Sequence, residues 1–402
     1  MKLLIITGPL WPRVGNNAIL VSKLLPFLAE RHEIKILSLA INVPESSLPE
    51  TVFGFQAYWA TGLHNDWKRR FLYPAISRLK QEPGFEGELG AKLLEDAARE
   101  IKKTYPYEAV LCTMQPYAGT IAASRLSGVP KLVYLMDPPD FVFDSLPWEA
   151  GQKQLPAALD RFDTVFTTPF ILEALKETAK KALFQKCVAV SFPHIEQNDI
   201  VPTEQDIPMP PDKIHLLYCG ALFSDVRSPD CFLKILERLD ERFCVTFMGR
   251  NCEQFWKEHA IETHAQVRVY PPQPYQVAIN AMEKADVLIN LGNNMGIHMP
   301  SKTLDYINAG KPIVSFYNFP DCPTLYYTKR YPLCLNLYAK EFDPERDTSR
   351  FVKFCMENRQ KRVSRSFIED HFSECRPETI SEEILRQLET ILPNRAKGSV
   401  LN

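Results

Sequence analysis

Residues 286–314 read DVLINLGNNMGIHMPSKTLDYINAGKPIV. Asp286 to Leu291 is a mostly apolar run of strand length. It empties into a glycine-containing loop, Gly292 to Gly296, and a helix follows from Pro300 or Ser301 to Ala309. Gly310 is the expected stop, because glycine takes the left-handed conformation at a helix end without steric cost. Ile313 to Phe316 is the next strand. Strand, helix and strand in this order imply parallel pairing. The free backbone N–H groups at such a helix start favour an anion. Lys302 adds a formal positive charge there, and Asp305, three residues on, shares its helical face. Phosphate oxygens suit the helix end and Lys302, and sugar or ribose hydroxyls suit Asp305. One charged hydrogen bond of this kind contributes roughly 1.5–3 kcal/mol. The residues alone leave a second reading open, in which Ser301 only caps the helix and Lys302 and Asp305 are solvated.

The same alternation extends to both sides. Upstream, Ile214 to Tyr218, Phe243 to Met248 and Val267 to Tyr270 read as strands, and Tyr275 to Ala285 as a helix. Ser228-Pro229-Asp230 reads as a helix start, with Ser as cap, Pro in the first turn and Asp favoured by the helix dipole. Before this block lies a Pro-rich, acidic stretch, Glu196 to Asp212, without apolar periodicity, which reads as a linker. The first half opens with a strand at Leu3 to Thr7, a loop from Gly8 to Gly15 and a helix with Ile19, Leu20, Leu24, Phe27 and Leu28 as apolar positions. Asn16 or Asn17 can cap that helix, and Pro26 is expected to kink it. Further strands are Ile34 to Leu39, Ala109 to Thr113, Lys131 to Met136 and Thr164 to Thr167, with a helix at Gly119 to Leu126. Residues 41–90 read as less regular. A final helix, about Pro377 to Leu392, carries Ile380, Ile384, Leu385, Leu388 and Ile391. The expected division is an N-terminal domain 1–195, a linker 196–212, a C-terminal domain 213–375 and a last helix 376–402 that packs back toward the N-terminal domain.

Composition narrows the function classes. The chain has 402 residues, enough for two ordinary cores. A hydrophobic fraction of 45% with 24% charged residues is that of a globular protein. The formal net charge of -2 gives no reason to expect a nucleic-acid partner. The run Leu3 to Ile6 is too short for a signal-peptide core and reads as a strand. Ten cysteines without a C-x-x-C pair read as small core residues in a reducing compartment. His259 and His264 lack the helical spacing of a zinc site, so no structural metal is expected. The expected location is cytoplasmic, with peripheral contact at the inner membrane face as an option. That option comes from Trp67, Lys68, Arg69, Arg70 and Phe71, which combine cations with aromatics as lipid-headgroup contacts do. A solvated loop is the preferred reading of that stretch.

The stretch 286–314 resembles the donor-binding segment of the retaining family-4 glycosyltransferases. Their pattern is Glu-x7-Glu with a Pro between the acids and a small-small-Gly-x-Pro tail. Pro300, Asp305, Ala309, Gly310 and Pro312 fall in register, and Pro-Ser-Lys matches a subgroup of bacterial envelope-polysaccharide enzymes. Asp305 stands for the second Glu, and Ile297 stands where the first would be. LLYCGALFSDVRSPD is similar to the family's strand and Gly-Arg-Leu segment, with Gly220 matching, Ala221 in place of the usual Arg, and Arg227 near the usual Lys. FMGR, with Gly249 and Arg250, matches the next strand and turn, and Pro271 to Gln273 falls where the family holds the base. The resemblance implies an α/β protein of GT-B architecture, two Rossmann-like doubly wound domains facing an interdomain cleft. It implies a donor-binding set of Arg227, Gly249, Arg250, Pro272, Ser301, Lys302, Thr303 and Asp305. It also implies retention at the anomeric carbon, a nucleotide sugar as co-substrate, and no cofactor or required metal.

On the acceptor side the loop Gly8 to Asn17 resembles the family's glycine loop, with Arg13, Gly15 and Asn16 as candidates. A plain βα turn fits it equally well. Gln115 and Tyr117 follow one strand end and Asp137 another, with Met136 where many relatives carry His. Asp137 and Asp305 are the candidate catalytic carboxylates. The expected function is sugar transfer from a nucleoside diphosphate sugar to the hydroxyl of a carbohydrate or lipid-linked acceptor. Two rivals stay open. One is a non-catalytic GT-B subunit that binds a nucleotide sugar or glycan, favoured by Ile297 and Ala221. The other is a sugar-nucleotide epimerase, which needs more acid and base residues than the sequence offers.

Overall fold

The computed structural model describes all residues except 11–13, 42, 63–86, 115–116, 139–154, 179–180, 198–200, 204–205, 223–225, 260, 295, 298 and 399–402. The chain forms two compact units. The first joins Met1–Pro193 to Glu374–Asn402, and the second is His194–Ser373. Of the candidates above, Arg13, Gln115 and the stretch Trp67 to Phe71 lie outside the described residues.

The first unit is built on one sheet. Its strands are β1 (Lys2–Ile6), β2 (Glu33–Ile41), β3 (Thr51–Val52), β4 (Phe55–Gly62), β5 (Ala109–Thr113), β6 (Lys131–Leu135), β7 (Thr164–Thr167) and β8 (Cys187–Ala189). Their order is β3-β4-β2-β1-β5-β6-β7-β8. All pairs are parallel except the short hairpin β3–β4. Leu3, Leu4, Ile5 and Ile6 are all buried, as expected of a central parallel strand covered on both faces. The strand order reverses between β1 and β5, so the loops after these two strands leave the sheet at neighbouring points.

The first helix, Asn16–Ala29, runs through Pro26 without a break, so the expected kink gives no interruption. Neither Asn16 nor Asn17 caps it. Gly15 holds the cap position with an extended backbone and no side-chain cap bond, and Asn17 is buried in the first turn. The last helix, Pro377–Gly398, lies against Asn16–Ala29, with Ser381 Oγ donating to the Leu24 carbonyl at 3.4 Å. A long helix at Glu88–Thr104 covers the sheet with Ala91, Leu94, Ala98 and Ile101. These positions recur at helical spacing, and Leu94, Ala98 and Ile101 give it an apolar stripe.

The second unit has six parallel strands: β9 (Ile214–Cys219), β10 (Phe243–Met248), β11 (Gln266–Tyr270), β12 (Val287–Leu291), β13 (Ile313–Tyr317) and β14 (Cys334–Tyr338). Their order is β11-β10-β9-β12-β13-β14. Counted from β9 this is the 3-2-1-4-5-6 order of Rossmann-type sheets, which bind ligands where the order reverses. Phe232, on the helix Asp230–Leu236, packs on Phe247, Phe316 and Phe351 with ring centroids 5.8, 5.9 and 6.1 Å away. Each such aromatic pair adds about 0.5–1.5 kcal/mol beyond area burial. Together they fix the helix that follows Arg227. The Pro-rich stretch read as a linker is held along this unit. Lys284 pairs with Asp206 at 2.5 Å, and Asn280 donates to the Val201 carbonyl at 2.8 Å.

No helix among the described residues is long and apolar enough to cross a membrane. No disulfide joins any of the ten cysteines, and several, such as Cys112 and Cys244, are buried core residues.

Candidate donor site in the second unit

The reversal point lies between β9 and β12. These strands pair only through Val287 with Leu216 and Leu288 with Leu217, so they part before their carboxyl ends. Tyr306 fills the opening. Its hydroxyl accepts from the Cys219 amide at 2.8 Å and donates to the Cys219 carbonyl at 3.2 Å. Two buried backbone groups that would otherwise lack a ladder partner are thereby satisfied.

Two glycines let the strand exits approach each other. Gly249 has φ +151°, and a Cβ there would fall on the Gly220 carbonyl oxygen. A Cβ at Gly292 would stand 2.7 Å from the Phe316 carbonyl oxygen, across the exit of β12. Close backbone packing is therefore the reason for glycine at both places. Arg250 is exposed just beyond Gly249, and Pro272 is exposed just beyond β11.

Arg227 is fixed by its neighbours. Its Nε donates to Asn293 Oδ1 at 2.9 Å, and its Nη1 lies 3.5 Å from the Tyr218 hydroxyl. Burial pushes the Tyr218 phenol up to about 12, against the pull of the Arg227 charge. Tyr218 therefore stays neutral and donates to the Ala221 carbonyl at 2.9 Å. Asn293 is itself buried in the loop after β12. That loop is pinned twice more. Asn318 Nδ2 donates to the Gly292 and Asn293 carbonyls, both at 3.2 Å, and the Asn294 amide donates to the Val226 carbonyl at 2.6 Å. The helix start expected at Ser228 is shifted by one residue. Pro229 holds the cap position, and Ser228 Oγ accepts from the Asp230 amide at 3.2 Å.

The helix of the opening stretch runs Lys302–Asn308, with Ser301 at its cap position making no side-chain cap bond. Lys302 Nζ donates to Asp305 Oδ2 at 2.8 Å and stands 5.5 Å from the centre of the Tyr275 ring. Its side chain is 31% exposed, so the ammonium is confined but reachable. Burial works against its charge, but Asp305 outweighs this and holds it above the ordinary lysine range. Arg227 and the helix of Lys302 meet at the end of β9. A Cβ at Gly220 would stand 3.3 Å from Arg227 Nη1, and Tyr306, four residues after Lys302, bonds to the neighbouring Cys219.

Two of the expected donor contacts have protein partners. Asp305 was read as a partner for sugar or ribose hydroxyls and as a catalytic carboxylate. Its side chain is only 3% exposed, with Oδ1 bonded to His194 Nδ1 at 2.8 Å and Oδ2 to Lys302. In this arrangement it holds Lys302 and His194. Thr303 is fully buried, and its hydroxyl donates to Asn290 Oδ1 at 3.0 Å, which ties the helix to β12. Sequence reading takes His194 as structural and does not single out Asn293 or Tyr306. Asn293 and Tyr306 lie inside the stretch that was read, but nothing in their spacing marks them as partners of Arg227 and Cys219.

In the first unit, Gly15 is half-buried in a tight loop, with its amide donating to the Pro9 carbonyl at 2.8 Å, and Asn16 is exposed beside it. Asp137 is half-buried just past β6. Tyr117, the acceptor-side candidate after β5, packs in the core with Ile121 and Leu135, because it opens the helix Tyr117–Arg125, whose residues up to Ser124 are all buried. These residues follow β1, β5 and β6, three adjacent strands.

No protein-family model and no curated protein sequence matches the chain. Solved structures match it over nearly its whole length. Sucrose-phosphate synthase from Thermosynechococcus elongatus superimposes with TM-score 0.69 at 11% identity, covering 98% of this chain and 100% of its own. HepE from Anabaena, in complex with UDP-glucose, gives TM-score 0.62 at 12% identity, covering 97% and 100%. The apo form of the lipopolysaccharide outer core galactosyltransferase WaaB gives TM-score 0.57 at 12% identity, covering 97% and 99%. At such identities the likeness is one of fold, and the fold is the α/β GT-B fold of glycosyltransferases.

Proposed function

We propose that the chain is a glycosyltransferase that moves a sugar from a nucleoside diphosphate sugar to an acceptor hydroxyl, with retention. The observation that carries this is the grouping of Arg227 and Lys302 at the strand-order reversal of the second sheet. Negative charge grows on the diphosphate as the glycosidic bond breaks. Cations already held in place stabilise that charge without reorganising. Arg227 is held by Asn293 and Tyr218, and Lys302 by Asp305 and Tyr275. The diphosphate charge is thus met by side chains, and the reading assigns no step to a metal. The exposed turns at Arg250 and Pro272 lie on the next two strand exits and suit the nucleoside. On the acceptor side, Gly15, Asn16 and Asp137 are the candidates, for a carbohydrate or lipid-linked hydroxyl.

The Pro300-to-Pro312 pattern supports retention, and the UDP-glucose bound in HepE makes UDP-sugars the first donors to try. Use of a nucleotide sugar favours a cytoplasmic reaction. Half-buried Ile297, where the resemblance expects a carboxylate, favours a second reading: a GT-B subunit that binds nucleotide sugar without transfer.

A panel of UDP-, GDP- and ADP-sugars followed by thermal shift separates the readings. A ligand at 100 times its Kd adds about 2.7 kcal/mol of stability. That raises the melting point of a domain of this size by about 2–4 °C per kcal/mol. Selective stabilisation by one donor, with product formed on an acceptor panel, supports transfer. Stabilisation without product supports the binding subunit, and no stabilisation by any donor sinks both.

A further inference from the structure

We infer that His194 is a positioning residue for the anion-binding lysine of the second unit, acting through Asp305. The inference rests on the donor site proposed above. His194 follows directly after Pro193, and its partner Asp305 is 111 residues away on the helix Lys302–Asn308. Both side chains are buried, with 5% and 3% of their surface exposed.

An ionised carboxylate only accepts hydrogen bonds, so the His194 Nδ1 proton points at Asp305 Oδ1. The two carboxylate oxygens thus have two different donors, His194 on Oδ1 and Lys302 on Oδ2. Two consequences follow. The carboxylate cannot rotate about its own axis without losing one donor, so Oδ2 fixes the Lys302 ammonium beside the Tyr275 ring. The carboxylate charge is also divided between two donors. Lys302 is therefore not fully neutralised by its own helix neighbour, and part of its field remains for an incoming anion. A Lys–Asp pair without the histidine lacks both properties.

On the donor-site reading Lys302 meets the phosphate farther from the nucleoside, so the ligand chemistry that senses this is a diphosphate. His194 therefore sets the preference for a nucleoside diphosphate over the matching monophosphate. Asn308 extends the anchoring at the other end of the helix, where its Oδ1 accepts from the Glu196 amide at 3.2 Å and from Arg365 at 2.6 Å. The segment that carries His194 is held to this helix at two points, Asp305 and Asn308.

The experiment is calorimetric titration of UDP against UMP, and of GDP against GMP, into the full chain. Wild type, His194→Leu and His194→Gln are compared, and each is checked by thermal unfolding. For the base that wild type prefers, His194→Leu is expected to lose about tenfold in diphosphate affinity while monophosphate affinity changes less than about twofold. Glutamine keeps an N–H for the carboxylate and is expected to restore the diphosphate affinity to within about threefold of wild type. Equal loss for diphosphate and monophosphate in the leucine variant would show a purely structural role and overturn the inference. So would unchanged diphosphate affinity in that variant. Wild type that binds neither diphosphate overturns the donor-site reading as well, which keeps the two failures apart.

Discussion

The Tyr306 hydroxyl lies 2.8 Å from the Cys219 amide nitrogen and 3.2 Å from the Cys219 carbonyl oxygen, and so bridges the end of β9 where β12 has turned away. Burial keeps the phenol protonated by raising it far above its usual range. Tyr306→Phe fills nearly the same volume but leaves the Cys219 N–H and C=O without this partner. The expected loss is about 1–3 kcal/mol of unfolding free energy. A chemical-denaturation midpoint equal to that of wild type would contradict this account.

Gly249 has no room for a side chain, since a Cβ would fall on the Gly220 carbonyl. Its φ of +151° also disfavours any L residue. Gly249→Ala is expected to push β9 and β10 apart at their exits and to destabilise the second unit by more than about 2 kcal/mol. Gly54, at φ +81° with open space around it, is the control. Alanine there carries only the backbone strain and is expected to be much milder in the same melting experiment.

Arg227 and lysine carry the same charge but differ in reach. A lysine cannot donate to Asn293 Oδ1 and face the Tyr218 hydroxyl from one planar group. Arg227→Lys is expected to weaken nucleoside diphosphate binding by about tenfold while moving the melting point little. Equal affinity for the two proteins, measured by titration, removes Arg227 from the proposed donor site.

His215 gives a pH dependence of stability. It is buried in β9, with Nε2 3.1 Å from Thr246 Oγ1, and burial, with help from Arg268, lowers it from 6.5 to about 4. A lowered histidine is stabilising in its neutral form. Its contribution is present above 6.5 and is lost as pH falls from 6.5 toward 4, because only the unfolded chain takes up the proton. Between pH 7 and pH 5 the expected loss is about 2 kcal/mol. Denaturant melts of wild type and His215→Gln across that range test it. The variant is expected to show the shallower slope, and parallel slopes would remove His215 as the cause.

Sequence alone carried the fold far because parallel strands are buried on both faces. Runs such as Phe243 to Met248 therefore stand out by hydrophobicity without any knowledge of partners. The helix Glu88–Thr104 escaped notice although its apolar stripe was there to read, because it begins inside a stretch of mixed composition. The site was only half legible. Lys302 and Arg227 stand beside helix starts, where chemistry suggests a use for a cation. Thr303 and Asp305 stand in the same stretch but face inward, and a helix of seven residues gives too short a pattern to show which face is buried. His194 reads from sequence only as a structural residue. A single histidine after a proline has no periodicity, and its partner is far away in the chain.

The return of the last helix, Pro377–Gly398, onto Asn16–Ala29 has a consequence for the order of folding during synthesis. The second unit is one unbroken segment, His194–Ser373, and can close its core as soon as its last residue leaves the ribosome. The first unit is made first but finished last. Until residues 374–402 emerge, Leu24 and its neighbours on the first helix lack their cover, and the nascent chain carries an exposed apolar strip through the whole translation of the second unit.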